Sequence, residues 1–449
     1  MTKIISKEVD GPKKKIRIFG VTVFSKKTDP VRTKYYLFGF RIFKKYNFGR
    51  IFDSYQQDKN GYRRDKDNFT RNINELRLDN AFLNLSLVQS LKNPVYHISF
   101  LAISNVGDNL LFHALQKSLK DSINSINFIN RFGKNRLSEL DVHLFNQSKG
   151  IIIGGGGVFL KDTNPNDRSG WQFPITAEQI NQIEAPIFML AVGYNRFRGQ
   201  DDFDPVFKES MNTLVRKCKF VGIRNSGSIR ALKAYLDDDL KDKINLHPCA
   251  TTILSKIYDI PKVDIEEPFI AINGAFDRSE MRFGGKEKQV MESVVRVLSK
   301  LSGDYKIKCY LHSREELKLT EYLDAHELKY ETVILYTPDM VPDKVIKIYS
   351  APQMVMGMRG HGLMIPFGCN TPILSITNHE KQTWFMEDTG HPEWGVDVLE
   401  PNFEDKLLDT ANYILGHRDE VKKEISKAQD RFYDITVRNL KLIAGYMGL

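Results

Sequence analysis

From Val95 onward, short apolar runs and helix-like stretches take turns along the chain. VYHISFLAI is followed by a helix from about Asn109, then come KGIIIGGGG, PIFMLAVG and KFVGIR, the last followed by a helix from Ser226 to Tyr235. Such alternation leaves little choice of architecture: strands separated by helices pair in parallel and are covered by those helices. A boundary falls within Pro248 to Asp264, and PFIAIN opens a second set. That set holds a helix near Glu287 to Leu301 and the runs YKIKCYLHS, ETVILYT, QMVMGMRG and TPILSIT. The fold class expected is α/β with two parallel sheets, at residues 94–258 and 259–449. A helical stretch from roughly Glu404 to Ile443 closes the second.

The N-terminus differs in kind. Residues 1–50 carry fourteen Lys and Arg against three Asp and Glu, so the net charge of +9 comes wholly from this segment. IRIFGVTVFSKK and YYLFGFRIFKK align at an offset of nineteen residues, and their aromatic and β-branched content predicts short strands with a turn near Thr28-Asp29-Pro30. Residues 1–55 are read as a basic β-hairpin module. Residues 56–93 are read as a polar linker ending in an amphipathic helix. The module has two readings: docking through residues 12–50 on an anionic membrane surface or a lipid-linked glycan, or a hairpin that covers an edge of the main body or pairs with another subunit. No nucleic-acid-binding motif accompanies the charge.

Cys218, Cys249, Cys309 and Cys369 are scattered without a metal-ligand spacing, which suits reduced thiols in cytoplasm. No apolar run has the length of a signal peptide or membrane span. The expected location is cytoplasmic, with peripheral contact on the inner membrane face under the docking reading.

The chemistry concentrates in GMRGHGLMIPFGCNTPILSITNHEK, residues 357–381. Two strand-like runs flank a short helix over Leu363 to Phe367, so Arg359, His361 and Lys381 all fall at carboxyl ends of parallel strands, where open sheets bind ligands. Two cations and an imidazole suit a small, multiply charged anion and a proton transfer. Arg224 ends KFVGI before a helix bearing Ser226 and Ser228, an arrangement that favours anions. Gly154 to Gly157 follows Ile151-Ile152-Ile153 and is expected as a loop lining the cleft through Gly155 and Gly156; no Walker sequence accompanies it. In Asn105-Val106-Gly107-Asp108, Asp108 either caps a helix or accepts hydrogen bonds from sugar hydroxyls. Trp171 and Tyr194 are candidates for stacking on a sugar ring, with core packing the plainer alternative. His312 and His379 lack the partners for a metal site.

Together these residues resemble the polysaccharide pyruvyl transferases. That family's pattern is Asn-x-Gly-Asp, a Gly-rich strand end, an Arg with a Ser four residues on, and Arg-x-His with a Lys about twenty residues beyond. Here it reads Asn105 to Asp108, Gly154 to Gly157, Arg224 with Ser228, and Arg359-Gly360-His361 with Lys381. Asn225 stands where the family usually has Asp, His247-Pro248 replaces Asp-Pro, and Gly360 fills a usually apolar slot.

The resemblance implies a GT-B-like pair of Rossmann-like domains facing across a cleft. It implies phosphoenolpyruvate as co-substrate, held by Arg224, Arg359 and Lys381, with His361 as general acid or base. A glycan or lipid-linked saccharide acceptor would lie against Asn105, Asp108, Gly155, Gly156, Trp171 and Tyr194. Neither cofactor nor metal is implied. Two rival readings are a GT-B glycosyltransferase using a nucleotide sugar and a non-catalytic scaffold of a glycan-assembly complex. The first usually has two glutamates seven residues apart at the donor turn, whereas Glu280 and Glu287 precede a helix.

Overall fold

Parallel order in both sheets follows from the run of strands and helices, and it fixes where a ligand sits. The computed structural model describes residues 85–101 and 105–449, together with the backbone of five strands in the N-terminal region and the side chains of residues 13–15. In the first sheet β6 (Pro94–Ser99), β7 (Asn127–Phe132), β8 (Gly150–Phe159), β9 (Ile187–Tyr194), β10 (Phe220–Ile223) and β11 (Ile244–Leu246) take the order β11-β10-β9-β8-β6-β7, with every pair parallel. In the second, β12 (Phe269–Asn273), β13 (Lys306–Leu311), β14 (Glu331–Ile334), β15 (Met354–Gly357), β16 (Ile373–Thr377) and β17 (Gly395–Asp397) take the order β14-β13-β12-β15-β16-β17, again parallel. The strand order reverses direction between β6 and β8 in one sheet and between β12 and β15 in the other. Each reversal opens a crevice at the carboxyl ends of the strands. The two crevices face each other, which is the GT-B-like arrangement of two Rossmann-like domains.

The central strands are apolar and fully buried, as in Ile151, Ile152 and Ile153 or Val355 and Met356. β8 departs from expectation: it does not stop at the glycines but runs on to Phe159, with its pairing to β9 shifting between Gly156 and Phe159. Gly154 has φ +136°, and a Cβ there would lie 2.0 Å from the Leu190 carbonyl oxygen, so glycine is what lets the strand continue. Helix α1 (Val106–Ser122) begins three residues earlier than the pattern suggested, because Asn105 caps it. The carboxyl-terminal segment forms two helices, Phe403–Gly416 and Arg418–Met447. The second returns to the first sheet: Asn439 Nδ2 donates to the Leu246 carbonyl at 2.8 Å, and Tyr446 packs near Phe188.

The N-terminal strands form a separate unit from the one that starts at Leu85. β1 (Ile5–Asp10), β2 (Lys13–Ile18), β3 (Val21–Thr28), β4 (Arg32–Leu37) and β5 (Phe40–Tyr46) make an antiparallel sheet in sequential order. Each of the two aligned sequence runs is therefore a pair of strands, and the module is a five-stranded meander instead of one hairpin. The strands end at Ile18 and Leu37, just before the repeated Phe-Gly, where a glycine weakens a strand interior. The expected linker over residues 56–84 lies outside the described residues, while residues 85–90 are helical. Among the described residues no helix is long and apolar enough to cross a membrane.

Candidate functional site

The two crevices merge into one cavity of about 270 Å³ whose wall includes Asn105, Asp108, Gly155, Gly156, Arg359, His361 and Lys381. Gly155 and Gly156 reach it from within β8, and the others from beyond strand ends. Arg359 is the N-cap residue of α2 (Gly360–Gly368), directly after β15, which puts His361 in the helix's first turn. Lys381 lies in the first turn of α3 (Glu380–Thr389) after β16, and its Nζ donates to Asn195 Oδ1 of the opposite domain at 2.9 Å. Asn105 Oδ1 accepts from the Gly107 and Asp108 amides. The capping role considered for Asp108 therefore belongs to Asn105, and the Asp108 carboxylate is left to face His361, with 3.7 Å from Oδ1 to Nδ1. Gly107 lies flat against that imidazole; a Cβ there would come within 2.4 Å of the His361 Cβ. On the other side His361 Nε2 is 3.8 Å from Cys249 Sγ.

Arg224 stands behind the wall, almost wholly buried, and its Nε and Nη2 have no hydrogen-bond partner among the described residues. The helix start expected to assist it is occupied: Asp388 takes the amide of Ser226 at 2.9 Å, and its carboxylate also accepts from the Ser226 hydroxyl. Arg359, expected as a free cation, is already matched. It pairs with the buried Glu316, lies 3.4 Å from Asp277 and donates to Ser313. Trp171 and Tyr194 do not reach the cavity. Trp171 is fully buried, its ring 5.3 Å from that of Phe159 and 5.8 Å from that of Phe173, and Tyr194 packs on Phe203 with its hydroxyl on Tyr235. Neither presents a face for a sugar, because the crowded aromatic cluster at this end of the first sheet absorbs both.

Several charged groups on the wall gave no signal in sequence. Asp277 and Arg282 follow β12; Arg282 binds both Asp277 oxygens and Asn378. Lys134 and His312 also line the cavity. Phe197 of the first domain inserts among cations of the second, its ring 4.8 Å from the Arg278 guanidinium and 4.9 Å from that of Arg282. Asp277, Arg282 and His312 share a position just past an apolar strand run, the criterion that found Arg359, whereas Lys134 follows the half-exposed β7.

The electrostatics are those of a cleft lined by cations. Burial, with Arg282 and Arg224 nearby, pushes Lys381 well below its usual value. Burial and the charges of Arg224 and Lys381 push His361 down to about 3. The imidazole is thus neutral at pH 7. Burial raises Asp108 to about 6 against the pull of Lys134 and Lys381. Burial also tends to raise Asp277, but Arg282 and Arg359 outweigh it and hold the carboxyl below the usual carboxylate range. An anion entering the cleft would offset the unmatched charge and lift both His361 and Asp108.

Residues 105–380, well over half of the sequence, match the profile of the polysaccharide pyruvyl transferases. The chain belongs to the polysaccharide pyruvyl transferase family. Membership makes it a transferase of polysaccharide biosynthesis. No curated protein matches the chain. Among solved structures it is similar to Staphylococcus aureus MnaA with UDP, at 11% identity over 74% of this chain and 91% of that one, TM-score 0.45. The UDP-GlcNAc 2-epimerase of Methanocaldococcus jannaschii shares 9% identity over 72% and 92%, TM-score 0.45. The wall teichoic acid polymerase TagF shares 11% over 85% and 96%, TM-score 0.41. The fold itself rests on the strand orders given above.

Proposed function

We propose that this family member transfers the pyruvate unit of phosphoenolpyruvate to two hydroxyls of one sugar, in a surface polysaccharide or its precursor, forming a cyclic ketal and releasing phosphate. The observation that carries the reading is the pairing of Asp108 and His361 beside the unmatched cations Arg224 and Lys381. An enol phosphate carries a carboxylate and a phosphate, which such cations attract, and it reacts only once its methylene carbon takes a proton.

In this reading Lys381 and the first-turn amides of α2 hold the anionic groups, and Arg224 adds its charge from behind the wall. Arg359, held by Glu316 and Asp277, fixes the start of that helix. Bound anion raises the His361–Asp108 pair so that the imidazole is protonated. His361 then gives its proton to the methylene carbon, leaving positive charge at the neighbouring carbon. One sugar hydroxyl adds there and its proton returns to the pair. Phosphate departs with the C–O bond electrons, and the second hydroxyl closes the ring as its proton passes to the departing phosphate. The cavity wall of the first domain, around Asn105 and Gly155-Gly156, supplies the acceptor side and holds both hydroxyls in reach. The basic N-terminal meander keeps the proposed role of bringing the enzyme to an anionic, cytoplasmic membrane face where lipid-linked acceptors reside.

The test is to incubate the protein with phosphoenolpyruvate and a panel of nucleotide sugars, sugar phosphates and lipid-linked saccharides. Mass spectrometry should find an acceptor gaining a pyruvate ketal with equimolar phosphate, and His361→Gln should slow this by about 10²–10⁴. Full activity in His361→Gln would remove the acid–base assignment. Phosphoenolpyruvate left intact with every acceptor would remove the reaction.

A further inference from the structure

His312 follows β13 at the cavity wall and is fully buried. Its backbone amide donates to Glu316, the carboxylate that also holds Arg359. Its Nε2 makes a hydrogen bond with the Tyr349 hydroxyl, itself fully buried. Among the described residues that hydroxyl has no other hydrogen-bond partner, so its proton belongs on this bond and Tyr349 is the donor. An imidazole nitrogen that accepts carries no hydrogen, which places the hydrogen of a neutral ring on the other nitrogen. Burial, reinforced by the nearby Arg359 charge, keeps the ring neutral. Nδ1, on the other side of the ring from Tyr349, is buried and meets no partner among the described residues. A buried donor left without an acceptor is costly in a protein interior unless a ligand completes it.

We propose that His312 is a substrate-binding residue whose Nδ1–H, fixed in that tautomer by Tyr349, donates a hydrogen bond to an anionic oxygen of the phosphoenolpyruvate bound in the cleft. The inference rests on the donor reading of the site. It adds to the cations a neutral donor of fixed direction. A cation attracts any anion, but a single directed N–H selects one that brings an oxygen to that point. Discrimination between an enol phosphate and free phosphate can therefore come from His312, with Tyr349 as the positioning residue behind it.

Two substitutions separate the ring nitrogens. His312→Asn keeps an N–H near the Nδ1 position and gives up the contact with Tyr349. His312→Gln keeps a group at the Nε2 position and gives up the donor to the cavity. Titration calorimetry with phosphoenolpyruvate should show affinity within a few-fold of wild type for His312→Asn, and a loss of roughly 10- to 100-fold for His312→Gln, the worth of one hydrogen bond to a charged group. Free-phosphate affinity should change by less in both. Thermal melts confirm that each variant is folded, and ¹⁵N NMR of the histidines in the wild-type protein reads the tautomer independently. Equal affinity in wild type and His312→Gln, or a His312 ring protonated on Nε2, overturns the proposal and leaves the donor reading standing. A wild-type protein that binds no phosphoenolpyruvate overturns both.

Discussion

Replacing Arg224 with Met should make the empty protein more stable and the donor-binding site useless. The guanidinium is buried, its Nε and Nη2 have no acceptor among the described residues, and burial disfavours its charge. Gly193 makes room for it, since a Cβ there would lie 2.0 Å from Nε. An unsatisfied buried donor costs about 1–3 kcal/mol, and Met keeps most of the volume without the charge, so the variant should gain about 2 kcal/mol. Unfolding entropy of about 2.1 cal/mol/K per residue, over the unit from Leu85 to Leu449, converts this to a rise in Tm of about 2–3 °C. Phosphoenolpyruvate at a hundred times its Kd should add about 2.7 kcal/mol, or about 3–4 °C, to the wild type. In the variant that shift should shrink to about 1 °C or less as affinity falls about 30-fold or more. Scanning calorimetry with and without phosphoenolpyruvate measures both. A lower Tm for the empty variant, or an undiminished ligand shift, would refute the idea that Arg224 is held unpaired for an anion.

Asp108→Asn tests the raised carboxyl. With a folded pKa of about 6 against 3.8 unfolded, Asp108 contributes stability that is full below pH 3.8 and lost as the pH rises through 6. The Asn variant should lack that fall and exceed wild type by about 1–2 kcal/mol at pH 8, a partial value because the side chain is about a third exposed. Parallel stability–pH curves would contradict it. Gly107→Ala should displace the His361 ring and cut turnover at least about tenfold with the fold retained; an unaffected rate would mean the ring's position does not matter. Removing residues 1–50 should abolish flotation with anionic vesicles, and undiminished flotation would leave the basic module without that role.

The sequence made the interior strands legible because they are apolar throughout, and Arg359, His361 and Lys381 legible because they lie just past such strands. It hid β7, β11 and β17, which are short or half-exposed edge or end strands with little apolar signal. Asn105 and Asp108 are both capping residues three positions apart, and only the helix start decides between them. Trp171 read equally as a stacking platform or as core, until its aromatic neighbours were assembled from distant segments. The matching of Arg359 by Glu316 and Asp277 joins loops after β12, β13 and β15, a juxtaposition set by sheet order and not by spacing along the chain.

A crystal of the protein soaked in phosphoenolpyruvate tests the central claim most directly. The account predicts density for the intact enol phosphate in the cleft, its anionic groups on Lys381 and the start of α2 in front of Arg224, and its methylene carbon beside His361. Density elsewhere, or a cleft that stays empty at saturating phosphoenolpyruvate, would contradict it.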